Sequence, residues 1–246
     1  MNIKCSISGI YPKATVIVIT TEALKNHAGL PKEAAQKPDI AALEAGLPNL
    51  IRHIHIMKQY GQPVIVALNK FHFDTTEEIE FLRRFCETKQ LGFAVNDGFA
   101  NGADGATDLA KVVVDFIGKY AATAVQFTYS NSDGIKDKIL SIAQKIYGAK
   151  DVVYSEKALQ NLLTIIENGH SALPVCIAKN QYSFTDNPKI LGAPEGHTLH
   201  IDDIIINAGA GFIVAVAGEM MRMPGLPKVP AAYRMRIENG MIEGLT

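Results

Sequence analysis

The chain has 246 residues, 48% of them apolar and 20% charged, with a net charge of −1. That balance fits a globular protein with a sizeable core and excludes the basic footprint expected of a nucleic-acid or membrane-surface binder. Three cysteines, Cys5, Cys86 and Cys176, share no metal-ligand spacing and cannot all pair, which argues against a disulfide framework and fits a reducing compartment.

"MNIKCSISGIYPK" carries no apolar signal core, so a cytoplasmic location is expected. The runs "ATVIVIT" and "GFIVAVAG" are too short to span a bilayer. Val16 to Ile19 is a β-branched run that predicts a strand buried on both faces. A helix is predicted over 40–60, capped by Asp39 and ended by Gly61. Pro48 should kink or split it. "PVIVALN" at 63–69 predicts a second buried strand. "TTEE" at 75–78 is a capping box opening a helix to about Lys89, and "LGFAV" predicts a third strand. "NDGFANGADG" reads as a loop leading into a helix over 106–119.

The segment 121–134 changes in character and predicts a link between subregions. Asp133 is a candidate cap for a helix over 135–147 stopped by Gly148, and Ser155 for one ending at Asn168–Gly169. "LPVCIA" predicts a strand, and "IDDIIINAGAGFIVAVAG" two strands interrupted by Gly209 and Gly211. A terminal hairpin is expected around Asn239–Gly240. The cluster Pro224 to Pro230 reads either as a stiff turn locking the C-terminus or as a shaped cleft wall. Strand–helix alternation gives the expected fold class: α/β, a mostly parallel sheet with flanking helices of the Rossmann or P-loop NTPase kind, with an α+β C-terminal portion.

In such sheets ligands bind beyond the carboxyl ends of the strands. That rule selects "TTEALKNH", "NKFHFD", "NDGFANGADG" and "KNQYSFTDNP". "VIVALNK" invites comparison with the guanine-reading Asn-Lys-x-Asp element, but the next acid, Asp74, is too far along to accept from a guanine edge. No G-x-x-x-x-G-K-[ST] phosphate loop occurs in the 246 residues. His53 and His55 lie on different helical faces and form no metal pair. His27, His170, His197 and His200 read as solvated or locally bonded; His72, at a strand end, is a candidate for chemistry. Phe71, Phe73 and Phe99 fall outside core periodicity. Either they tuck under their loops, or rings from neighbouring strand tips form a slot for a planar ligand.

The segments "NIKC", "ALKNH", "PVIVALNKF" followed by "DT", "LPVCIAKNQYS", "AGAGFIV" and above all "MPGLPKVPAA" resemble the C-terminal part of the formate–tetrahydrofolate ligases, also called 10-formyltetrahydrofolate synthetases. The resemblance runs through the whole chain. It implies ATP-dependent ligation: formate attacks the γ-phosphoryl group of Mg-ATP, and N10 of tetrahydrofolate then attacks the formyl phosphate. It implies a pterin stacked between Phe71 and Phe99, with Val95, Asn69 and His72 beside it. Thr20, Glu22 and Lys25 then fall on the nucleotide-side loop. The proline-rich loop becomes part of the folate-side framework. No catalytic residue and no resident metal is assigned.

Members of that family also carry a long N-terminal region with the P-loop. The resemblance therefore implies that residues 1–60 are a remnant of the nucleotide-binding domain and 61–246 the folate-side domain, with a sub-boundary near 121–134. It implies a P-loop-bearing half or subunit as partner and an oligomer. Four departures stand in the ligand loops. Phe99 replaces the usual Trp, Glu22 a usual Arg, His72 a Pro, and Asn180 a Thr. The chain is thus expected to be a split subunit of the ligase or a piece of it, inactive alone, or a non-catalytic folate-binding or interaction module derived from it.

Overall fold

The computed structural model describes residues 1–119, 124–218, 228–238 and 241–243. A short helix α1 (Lys4–Ser8) precedes β1 (Thr15–Ile19). Helices α2 (Thr21–His27), α3 (Lys32–Ala35) and α4 (Ile40–Gln59) lead to β2 (Val64–Asn69). Helix α5 (Thr76–Thr88) leads to β3 (Gly92–Asn96), followed by α6 (Gly98–Gly105) and α7 (Thr107–Lys119). The three strands form one parallel sheet in the order β1-β2-β3, with Ile17 opposite Val66 and Val66 opposite Phe93.

The capping box predicted at Thr75–Glu78 is present in both directions, and Asp39 caps α4 by accepting from the Ala42 N–H at 2.8 Å. Pro48 does not split α4, which runs unbroken through it. Leu43, Leu47, Leu50 and Ile54 are buried along one face, and that packing offsets the hydrogen bond that Pro removes. Gly46 is required there: a Cβ would lie 2.0 Å from the Leu24 carbonyl oxygen, so only glycine lets α4 press against α2. The burial expected on both faces of 16–19 is not found. Among the described strands β1 pairs only with β2, and Val16 and Val18, which share one face of the sheet, are exposed.

Beyond the link, α8 (Ile135–Ile142) ends in a π-helical turn, Ala143–Tyr147, closed by left-handed Gly148. Asp133 does not cap it. Gly134 holds the N-cap position, and the Asp133 carboxylate accepts from the Ser130 N–H instead. β4 (Asp151–Tyr154), which the sequence pattern missed, precedes α9 (Glu156–Glu167), capped by Ser155 as expected. Then come β5 (Val175–Lys179), β6 (Thr198–Ile201), β7 (Asp203–Asn207) and β8 (Phe212–Ala217). β4 and β6 pair in parallel, while β8 is parallel to β5 and antiparallel to β7. This mixture is the expected α+β portion. A terminal hairpin is present as β9 (Arg236–Glu238) and β10 (Met241–Glu243). Its turn at 239–240, and the proline-rich segment as far as residue 227, lie outside the described residues.

Two hydrophobic cores result. One runs from Ile19 to Phe93 and centres on β2; the other runs from Tyr129 to Ala217. Strand β1, before position 60, and strand β2, after it, pair in register within one sheet. The change of core falls between α7 and Tyr129, where residues 120–123 lie outside the described set.

Candidate functional site

The carboxyl ends of the first three strands form a continuous rim because their side chains are tied to one another. Asn96 Nδ2 donates to Asn69 Oδ1 at 3.0 Å, linking the tips of β3 and β2. Lys70 Nζ meets Asp97 Oδ2 at 3.1 Å, and the Lys70 N–H donates to the Asn96 carbonyl. The hydroxyl of Thr21 donates to Asp74 Oδ1, while Asp74 Oδ2 accepts from the Phe71 N–H at 2.8 Å. The loops after β1, β2 and β3 are therefore one connected surface.

Phe71 and Phe99 both project from this rim, with relative exposures of 37% and 79%. Neither ring enters a core. Phe71 lies parallel to Phe73 in an offset stack, centroids 5.4 Å apart and planes within 2°, and His72 meets Phe73 edge-on at 5.2 Å. Among the described ring contacts, none joins Phe71 to Phe99, so the two rings do not already occupy each other. Val95 is half-buried against the first core, and Asn69 is engaged with Asn96.

Phe99 owes its position to α6, a helix that the reading of "NDGFANGADG" as a loop did not anticipate. Gly102 takes a left-handed φ of 57°, and the segment folds back so that the Asp97 N–H donates to the Gly105 carbonyl at 3.0 Å. A Cβ on Gly105 would stand 2.3 Å from the Asp97 carbonyl oxygen. Glycine there is what lets the loop close and holds Phe99 on the first turn of α6.

Thr20, Glu22 and Lys25 follow the tip of β1 in and before α2. Lys25 is not presented to a ligand. Its ammonium is fully buried and meets Glu78 Oε1 at 2.8 Å and the Lys37 carbonyl at 2.7 Å. Burial pushes the Glu78 carboxyl up, but hydrogen bonds from Lys25 and from the Asp39 and Thr75 N–H groups outweigh it and hold it below its ordinary value. Thr20 caps α2 by accepting from the Ala23 N–H. Glu22, in the first turn of α2, accepts from Gln36 Nε2 at 3.0 Å. These residues do not fit a phosphate grip: the cation is consumed internally and the helix start carries a carboxylate.

A second site lies at the tip of β5. A cavity of about 270 Å³ is lined by His27 and by Asn49 and His53 of α4. Tyr147, Lys179 and the "NQYSF" loop complete its wall. Asn180 braces that loop, accepting from the Tyr182 and Ser183 N–H groups at 3.0 Å and donating to the Thr185 carbonyl. Asparagine in "KNQYS" thus has a structural role, with both ends of its amide engaged. His27 is locally bonded, its Nδ1 accepting from the Gly192 N–H at 3.2 Å, and His53 stands on the same wall. Both line this cavity, and burial lowers the pKa of each. Sequence spacing could not show this, because His53 meets Phe184, and His27 meets Gly192, only through the packing of α4 and α2 against the later loop.

Comparison with known proteins came down on one family. All 246 residues match the family model described as formate--tetrahydrofolate ligase. The chain is 48% identical over 245 residues to a formate–tetrahydrofolate ligase of Parabacteroides distasonis, all of the chain aligning with 44% of that protein. It is 47% identical to that of Bacteroides fragilis, again over 44% of its length. It is also 47% identical to that of Campylobacter concisus, over 45%. The chain spans less than half the length of these curated relatives.

Proposed function

Because the chain belongs to the formate–tetrahydrofolate ligase family, we propose that it supplies the folate-side part of an ATP-dependent ligase that forms 10-formyltetrahydrofolate. The observation that carries this reading is the rim itself. Three strand tips are cross-linked by hydrogen bonds, and the two exposed phenylalanines stand on adjacent tips. A flat pterin placed over Phe71 gains stacking on a ring already held parallel to Phe73, and Phe99 closes from α6. Val95 offers an apolar floor, and Asn69 and His72 offer hydrogen-bonding groups at its edge. Holding the pterin fixes where N10 points, which is positioning rather than bond chemistry.

The phosphate grip belongs elsewhere, since no P-loop sequence occurs in the 246 residues and Lys25 is committed to Glu78. A P-loop-bearing region of the ligase, on the same or another polypeptide, docks against the edge strand β1. Val18 there is 64% exposed, and Ile7, Ile10 and Tyr11 are also exposed nearby in the sequence. The absence of a P-loop also favours a second reading, a folate-binding module without catalysis.

The test measures formylation and binding side by side. The purified chain is expected to bind tetrahydrofolate and show no ATP-dependent formylation. Adding the portion of the Parabacteroides distasonis ligase outside the matched 44% should restore turnover; binding without restored turnover supports the module reading. Phe71→Ala and Phe99→Ala should each weaken binding about three- to tenfold, the value of one aromatic stack. Equal binding by wild type and both variants refutes the slot, and turnover by the chain alone refutes the missing grip.

A further inference from the structure

Three cations around the two strand-tip sites meet a carboxylate, and a fourth opens on a cavity. Lys25 has Glu78, Lys70 has Asp97 and Arg52 has Glu195. Asp186, whose field reaches Lys179, is committed to His200, accepting from its N–H at 3.0 Å with Nδ1 at 2.7 Å. Lys179 makes no carboxylate contact among the described residues. Its ammonium donates to the Asn180 carbonyl at 3.0 Å and to the Ser183 carbonyl, and lies 4.9 Å from the centre of the Tyr147 ring. Two carbonyls use two of its three protons.

The cavity it faces is lined by no acidic side chain among the described residues, and two histidines share its wall. His27 Nδ1 accepts from the Gly192 N–H at 3.2 Å, which places the neutral ring's proton on Nε2 and leaves His27 a donor. Asn49 donates to the Gly192 carbonyl at 2.9 Å and so holds the same loop against α4. The remaining walls are flat and apolar. Phe184 packs on His53 with centroids 4.9 Å apart, and Tyr147, Tyr182 and Ile177 complete them. A half-buried cation with no carboxylate in contact among the described residues, next to a hydrogen-bond donor and aromatic walls, is complementary to a flat molecule ending in a negative charge.

We infer that the recess between α2, α4 and the loop after β5 is a binding site for a small ring-bearing carboxylate, held by Lys179 and His27. Lys138 shows what a purely structural lysine looks like in this chain. It is fully buried, donates to the Ser171 and Leu173 carbonyls, and is absent from the walls of the described cavities. Lys179 differs by facing about 270 Å³ of space. Burial, opposed by Asp186, also lowers its pKa to about 8, and a bound carboxylate would reverse that shift.

The experiment uses the whole chain, benzoate as probe and benzamide as its neutral counterpart. Lysines are followed by NMR through pH titration, with the Lys179 signal identified by its loss in Lys179→Met. Saturating benzoate should raise the Lys179 pKa by about one unit or more, as expected for an adjacent opposite charge, and leave Lys138 unmoved. Benzamide should bind roughly tenfold more weakly or worse, the loss of one charge-assisted contact. Lys179→Met and His27→Phe should each weaken benzoate, the first by about tenfold or more, while Lys179→Arg keeps affinity within about threefold. Should Lys179→Met fail to fold, the loss of the signal in Lys179→Arg identifies it, and the titration in the unaltered chain still decides. An unmoved Lys179 pKa, or equal binding of benzamide, overturns the site. Inorganic phosphate binding as tightly as benzoate overturns its assignment to a ring-bearing ligand.

Discussion

The strand tips of the first sheet and the tip of β5 place a lysine among polar loops in opposite ways. Lys25 gives its charge to Glu78, which also accepts from the Asp39 N–H and closes the capping box of α5. One carboxylate thereby fastens α2, the start of α4 and α5 together. Lys179 gives its charge to carbonyls and keeps a cavity in front of it. The same residue type acts as a rivet in one region and as an open contact in the other. A motif such as "ALKNH" or "AKNQYS" does not say which.

Substitution at Lys25 and Glu78 should give the largest effect. Glu78→Gln or Lys25→Met leaves an uncompensated buried polar group and should cost about 3–5 kcal/mol in urea unfolding. Alkylation of Cys86 provides a local reading: its thiol is fully buried and pushed up to about 12, so it should react only when the first core opens. A Lys25→Met/Glu78→Leu double variant should recover much of the loss, since it removes both charges. A loss under about 1 kcal/mol for the single variants would break the contrast.

Next in size is the close approach that carries Phe99. Gly105→Ala sets a methyl group 2.3 Å from the Asp97 carbonyl oxygen and should cost about 1–3 kcal/mol. Tetrahydrofolate binding should weaken with it, because α6 must shift. Unchanged binding in a destabilised Gly105→Ala variant would separate Phe99 from the slot.

The smallest expected change is at Lys179. Lys179→Met should alter stability by less than about 1 kcal/mol, since it removes a half-buried charge that has no carboxylate partner among the described residues. The pH dependence of the two regions should have opposite positions. Glu78 titrates lower in the folded chain than unfolded, so its contribution is present above the ordinary glutamate value and is lost as pH falls through the lowered one. Lys179 titrates lower when folded, at about 8, so between that value and the ordinary lysine value the unfolded chain holds the extra proton and stability rises with pH. Urea midpoints measured across pH, with Lys179→Met losing the alkaline rise and Glu78→Gln the acid fall, check both signs.

Much of the frame is legible from residue order. The strands at 64–69 and 92–96, the helix caps at Asp39, Thr75 and Ser155, and the stops at Gly61 and Gly148 come from local chemistry. Expectation and structure part where neighbours far along the chain decide the outcome. Pro48 stays inside α4 because the buried face around it is long, and β1 is half-exposed because the face that carries Val16 and Val18 is left uncovered. β4 escapes the sequence pattern because its four residues alternate only weakly, and α6 because three glycines disguise it.

The sequence by itself determined the family, the alternation of strands and helices, and the rings at Phe71 and Phe99. These rest on residue type and near-neighbour spacing, which local sterics and hydrogen bonding translate directly into structure. Tertiary structure alone decided that Lys25 is buried against Glu78, that Asn69 and Asn96 tie two strand tips, and that His27, His53 and Lys179 share one cavity. The physical reason is that burial, and therefore the fate of a charge, is set by contacts between segments roughly 50 to 150 residues apart, the separations of Lys25 from Glu78 and of His27 from Lys179.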